Sequence, residues 1–239
     1  MKNILLLAFF MLSIIPLNAQ DADSILAEMD NIMYSPKDKS GKVSIILVDK
    51  DGNEKVREAD MFQKGSDKKL YRYTKPESQA GIATLSLPEG VMWLSMPAFE
   101  KPKKISLLSR SQAFTGTDFS YEDMATTTYS ERFTPKVLDE GKNDYVLELK
   151  PKSNKSKYSK IILRVDKKGY AIWMKYYNSQ GRNFKEATYT YEKIGKYWNA
   201  SEVIMKDFDK KHSTIIQLKD MKFDQGLSDD LFLVEKMQL

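Results

Sequence analysis

Carboxylates dominate the one stretch of this sequence whose residue types and spacing could do chemistry. SQAFTGTDFSYEDM, Ser111 to Met124, gathers Asp118, Glu122 and Asp123 with Phe114, Phe119 and Tyr121 around Gly116. Two carboxyl groups at a controlled separation can act as acid and base across a glycosidic bond. Asp118 and Glu122 are the candidates for such a pair, with Asp123 alongside. The same residues also fit the start of a short helix. Asp118 or Ser120 would cap it, and Glu122 or Asp123 would sit in the first turn, where negative charge meets the helix dipole favourably. This structural use of acids is the commoner one, and no second acidic cluster stands out elsewhere.

Other chemistry has less support. His212 is the only histidine and reads as a polar surface residue beside the turn DKKHST, because a catalytic base needs a positioned orienting partner. With no cysteine and one histidine, the chain lacks disulfides, thiolate nucleophiles and the nitrogen and sulfur donors of a zinc site. No metal or cofactor is expected. Gly65, Gly81, Gly90 and Gly116 stand singly in turns and form no phosphate-cradling motif. The basic stretch AFEKPKKISLLSR, Ala98 to Arg110, interleaves Lys101, Lys103, Lys104 and Arg110 with Phe99, Ile105, Leu107 and Leu108. Apolar residues flanked by cations suit anionic head groups or an acidic partner surface; an ordinary solvated edge has the same composition.

Residues 1–20 have the layout of a cleaved secretory signal. Lys2 precedes the apolar run Ile4 to Leu17, which is shorter than a spanning helix, and Asn18, Ala19 and Gln20 follow. Export by a cleaved signal into a bacterial periplasm is therefore expected, with residues 21–239 forming one domain. The net charge of +5 falls to +4 without Lys2, too even a balance to suggest nucleic acid.

The elements that would position these residues are mostly strands. A helix is expected where Ile25, Leu26, Met29, Ile32 and Met33 recur at helical spacing, capped by Asp23 or Ser24 and stopped by Pro36. After it, VSIILV, KLYRYT, ATLSL, VMWLSM, YVLELK, KIILRV, AIWMKYY, EATYTYE, SEVIMK and TIIQLK alternate between turn signals, predicting a meander of about ten antiparallel strands. Apolar residues occupy both parities around Trp93, Ile162 and Trp173, so these strands are expected to be covered on both faces. From Pro97 to Thr128 no alternation persists, and loops of that length are usually functional or partly helical.

The succession VDKDG, YTKPE, AGIATLSL, WLSMPAFEKPKKI and SQAFTGTDFSYEDM resembles the outer-membrane lipoprotein-sorting protein family, relatives of the periplasmic lipoprotein carrier LolA in the LolA/LolB superfamily. YSKIILRVDK, YYNSQGRNFK and DDLFLVEKM continue it, so the likeness spans the mature chain. Lys103 and Lys104 stand where relatives commonly show arginines, which keeps the charge but loses the bidentate phosphate fork. The resemblance implies a mainly β, α+β fold: an open antiparallel half-barrel wrapped around a hydrophobic cavity and closed by a helical lid. It implies a non-enzymatic carrier of acyl chains from lipoproteins or other lipids, moving between an inner-membrane donor and an outer-membrane acceptor and touching membrane surfaces transiently. The alternative functions are an accessory subunit of an envelope export system, or a glycan or lipid hydrolase using Asp118 and Glu122.

On that reading the cavity residues come from the lid and from strands apolar on both faces: Ile45, Leu47, Tyr71, Leu85, Trp93, Leu94, Phe99, Phe114, Phe119, Leu147, Ile162, Trp173 and Met174. Lys101, Lys103, Lys104 and Arg110 would contact head groups or a partner. Periodicity alone does not say which parity faces inward.

Overall fold

The computed structural model describes residues 21–106, 109 and 112–238; the expected leader and Arg110 lie outside the described residues. Helix α1 (Ala22–Tyr34) buries Ile25, Leu26 and Met29 in one stripe. Its cap is Asp21 rather than Asp23 or Ser24. The Asp21 carboxylate accepts the Ser24 amide at 2.8 Å and the Ser24 hydroxyl at 3.1 Å, satisfying a donor that the first turn leaves open. Among the described residues no helix is long and apolar enough to cross a membrane.

The strands are β1 (Asp38–Val48), β2 (Glu54–Lys64), β3 (Lys68–Lys75), β4 (Ala83–Leu87), β5 (Val91–Ser95), β6 (Lys103–Lys104), β7 (Phe133–Glu140), β8 (Asp144–Pro151), β9 (Lys160–Asp166), β10 (Ala171–Tyr177), β11 (Asn183–Ile194), β12 (Tyr197–Asp207) and β13 (His212–Phe223). They form one curved, open sheet of 13 strands in the order β6-β5-β4-β3-β2-β1-β13-β12-β11-β10-β9-β8-β7. The chain winds outward from β1 to one edge, crosses to the other, and winds back until β13 pairs with β1. All ten strands read from the sequence are present. β2 escapes the pattern because its first half is charged and exposed and only its second half buries Ala59 and Met61. β7 contains Pro135, which an edge strand tolerates because one side of its backbone has no partner to donate to.

β6 and β7 are opposite edges, and the segment that joins them, described from residue 112 to 132, lies over the concave face. It carries α2 (Tyr121–Met124) and α3 (Tyr129–Arg132) and joins α1 as a roof. Phe114, Phe119, Tyr121 and Met124 share one buried core with Leu26 and Met29 of α1 and with Leu147, Leu163, Met174 and Ala187 of the sheet. The carboxylate of Asp30 on α1 accepts the amides of Tyr129 and Ser130 at 2.9 and 2.8 Å, so one roof helix caps the other. Burial nevertheless pushes the Asp30 carboxyl above its ordinary pKa, these hydrogen bonds offsetting only part of the desolvation.

The double-faced apolar character has two different outcomes. On the convex side, Phe232 and Met237 fold back over Leu70, Ala83, Leu85 and Trp93, so β3 to β5 are covered on both faces as expected. Asp38 holds this tail by accepting the amides of Gln225, Gly226 and Leu227. On β9 and β10 no such cover exists among the described residues. Ile162 lies opposite Glu148 and Lys175, and Trp173 lies opposite Arg164 and Thr188, on the convex polar face.

Gly169, in the turn between β9 and β10, shows how closely α1 is seated. Its φ is +89°, and a Cβ there would lie 2.8 Å from Ile32 Cδ1 and 2.9 Å from Glu28 Cγ. Gly52, with φ +84°, has nothing within 4 Å. Both alanine variants incur the left-handed backbone cost of about 1 kcal/mol. Gly169→Ala adds overpacking of about 1–3 kcal/mol, so its urea midpoint should fall well below that of Gly52→Ala; equal midpoints would show that α1 is not held against this turn.

Candidate functional site

The roof is fastened to the sheet through the residues that first looked catalytic. Thr115 (φ +46°) and Gly116 (φ +78°) turn the chain so that Phe114 and Phe119 both enter the core. The Thr115 carbonyl accepts from Arg57 at 2.6 Å, and its hydroxyl lies 2.5 Å from the Tyr73 hydroxyl. Asp118, 1% exposed, is held entirely by the sheet. Its carboxylate meets Thr214 Oγ1 at 2.7 Å and His212 Nδ1 at 2.6 Å, its amide donates to Thr214 at 2.9 Å, and its carbonyl accepts from the buried Lys185. Lys185 also faces Asp207 at 3.5 Å.

Glu122 and Asp123 are engaged elsewhere. Ser120 is the cap of α2 in a reciprocal capping box with Asp123. Asp123 also accepts the Tyr158 hydroxyl at 2.8 Å, while Glu122 accepts from Ser156 at 2.8 Å and from the Lys157 amide at 3.2 Å. Asp118 is thus committed to β13, and Glu122 to the loop between β8 and β9. They do not flank a common space as a glycosidase pair would, and the helix-start reading is realised for Ser120, Glu122 and Asp123 but not for Asp118. Among the described residues no group of three or more His, Cys, Asp or Glu could hold a metal.

Between the roof and the concave face lies a cavity of about 140 Å³. Met33 and Tyr34 of α1, Phe119, Asp123, Met124, Ala125, Tyr129 and Arg132 of the crossing segment, and Tyr71, Tyr176, Tyr189, Val203 and Ile216 of the sheet line it. Burial raises the phenol pKa of Tyr34, Tyr71, Tyr129, Tyr176 and Tyr189, which keeps them neutral. Arg132 also lines an outer groove of about 350 Å³ with Glu89, Glu131, Pro151 and Lys155, so its guanidinium stands between groove and cavity. It stacks over Tyr129 at 4.6 Å and donates to the Glu122 carbonyl at 3.0 Å. Burial works against its charge, but Tyr129, Asp123 and Glu122 outweigh it.

Lys69 completes the wall. Burial, reinforced by the charges of Lys39 and Arg132, pushes its ammonium from 10.5 down to about 7. Lys39, on the same face across β2, is pushed down to about 8 by burial and donates to the Met33 carbonyl at the end of α1, at 3.2 Å.

Of the residues expected to line a cavity, Tyr71 and Phe119 do so directly. Phe114, Leu147 and Met174 belong to the core around it, and Ile45 and Leu47 to an adjoining cluster on the same face. Leu94 is on that face too, opposite the buried Thr84. Four expectations are corrected: Leu85 and Trp93 lie under the C-terminal tail, and Ile162 and Trp173 on the open convex face, because each occupies the other parity of its strand. Phe99 sits beyond the edge of β5 with Lys103 Nζ 4.2 Å from its ring centre. Lys101, Lys103 and Lys104 are exposed and make no ion pair with any described residue.

Sequence reasoning missed Lys69, Arg132, Asp30, Lys185 and the partnership of His212 with Asp118. A signal for two of them was present. Lys69 alternates with Tyr71 and Tyr73, and Lys185 with Ala187 and Tyr189, so each lysine occupies the inward parity of an otherwise apolar face.

Three solved structures share this architecture. An outer-membrane lipoprotein-sorting protein domain from Vibrio parahaemolyticus matches with a TM-score of 0.84 at 24% identity, over 91% of this chain and 98% of that one. A DUF1329 family protein from Desulfovibrio piger matches with a TM-score of 0.84 at 22% identity, over 90% and 97%. A LolA superfamily protein from Nitrosomonas europaea matches with a TM-score of 0.75 at 25% identity, over 90% and 98%. A family model described as an uncharacterized protein matches residues 65–238. The chain belongs to the family that this model describes, and it has the fold of the LolA superfamily protein. No curated protein matches it. The LolA-like fold is a binding and carrier fold.

Two outcomes test these assignments. Asp118→Asn weakens the fastening by about 1–3 kcal/mol, so amides of residues 114–121 should exchange at least about fivefold faster while those of β8 do not change; uniform acceleration would mean that Asp118 supports the whole fold instead. For Lys69, the folded pKa lies below the unfolded one, so the unfolded chain binds more protons between about pH 7 and 10.5, and stability rises with pH in that window. Lys69→Met should flatten that rise and lift the melting temperature at pH 6 by about 2–4 °C; an unchanged pH profile would place the ammonium in water.

Proposed function

We propose that this protein of LolA-like fold carries acyl chains of lipoproteins or other lipids through the periplasm towards the outer membrane. The observation that supports it best is a cavity bounded by the sheet, α1 and the crossing segment, lined by aromatic and apolar side chains. Burying an acyl chain there stabilises the complex by about 0.8 kcal/mol per methylene, so a carrier needs no catalytic group. A space of 140 Å³ is smaller than the roughly 300 Å³ of ordinary small-molecule sites, so loading a long chain has to displace the roof. The unpaired Lys101, Lys103 and Lys104 at the β6 edge suit transient contact with anionic head groups, or with acidic faces of a donor in the inner membrane and an acceptor in the outer one.

Protein purified from its envelope should release about one equivalent of lipid into organic solvent, read by mass spectrometry, and the delipidated chain should take up a fluorescent fatty acid. Neither extracted lipid nor uptake would sink the carrier reading and favour an accessory subunit that acts through its surface.

A further inference from the structure

Lys69 presents a half-buried ammonium to the cavity with nothing to pair with. It faces the cavity and makes no ion pair or hydrogen bond with any described residue. The one carboxylate on the cavity wall, Asp123, is already occupied by Ser120 and the Tyr158 hydroxyl. The nearby charges that act on Lys69 are those of Lys39 and Arg132, both of its own sign. The Arg132 Nε is also buried without a partner. Leaving the Lys69 cation uncompensated in a low-dielectric space is costly, and a protein that only needed an apolar pocket would carry methionine or leucine at this position. The arrangement is complementary to an anion. The remaining wall, Tyr71, Met124, Val203 and Ile216, is complementary to a hydrocarbon chain.

We propose that the cavity is selective for an anionic single-chain amphiphile, whose carboxylate or phosphate head pairs with Lys69 in the field of Lys39 and Arg132. Its chain lies against Tyr71, Val203 and Ile216. This deepens the carrier reading and rests on it, and it separates the cargo from neutral acyl groups, which would leave the lysine unpaired. A head group paired to an ammonium inside the cavity gains more than one in water, because the surrounding aromatic wall reduces competing solvent.

The delipidated mature protein would be titrated calorimetrically, below their critical concentrations, with dodecanoate, dodecyl phosphate, dodecanol and inorganic phosphate, and Lys69→Met would be titrated alongside. Wild type should bind at least one of the two anionic chains about tenfold or more tightly than dodecanol, which corresponds to a charge-assisted pair. In Lys69→Met that ratio should collapse towards one. Equal affinity for the alcohol and both anions in wild type would overturn the head-group inference and leave the carrier reading standing. Binding of inorganic phosphate as tightly as dodecyl phosphate would overturn it in favour of a free-anion site, and no binding of any chain would overturn both readings. A preference retained in Lys69→Met would overturn the assignment to Lys69.

Discussion

The crossing of the concave face by residues 112–132 is the constraint on which the rest of this structure depends. The backbone there runs through the interior, where each polar group needs a partner. The molecule supplies those partners from the sheet and from α1. Arg57 serves the Thr115 carbonyl, Thr214 and Lys185 serve Asp118, Asp30 serves the start of α3, and the Leu87 carbonyl takes the Thr126 hydroxyl. Without them the segment would remain in water and the concave face would be an exposed apolar trough.

Roofing the sheet this way leaves a small cavity rather than a filled core. Five tyrosines stand in its wall, where the hydroxyls of Tyr129, Tyr176 and Tyr189 meet one another, and Tyr176 and Tyr189 both reach the Met174 sulfur at 3.5 Å. Lys69 sits in the same wall. A chain selected for stability alone would have filled this space with aliphatic groups, so the polar wall is the feature that the proposed carrier role accounts for.

The acidic cluster shows how much of a site can be legible in residue types. Ser120 as a helix cap and Asp123 in the first turn follow from sequence, since capping depends on residues three apart. The destination of Asp118 does not follow, because His212 and Thr214 lie more than ninety positions away and are brought to it only when β13 pairs with β1 and the roof closes. For the same reason the lone histidine looked like a surface residue until its partner was visible.

Sequence by itself determined the secondary structure of most of the chain, the family resemblance and the presence of a long non-strand crossing, because alternation, turn residues and helical spacing are local properties. Tertiary structure alone decided which parity of each strand faces the roof. Leu147 and Met174 became core while Ile162 and Trp173 were turned outward, although all four are large and apolar. The reason is geometric: side chains alternate along a strand, but the direction of sheet curvature, and so which alternate set is enclosed, is set by where α1 and the crossing segment pack. The same choice placed Lys69 inside.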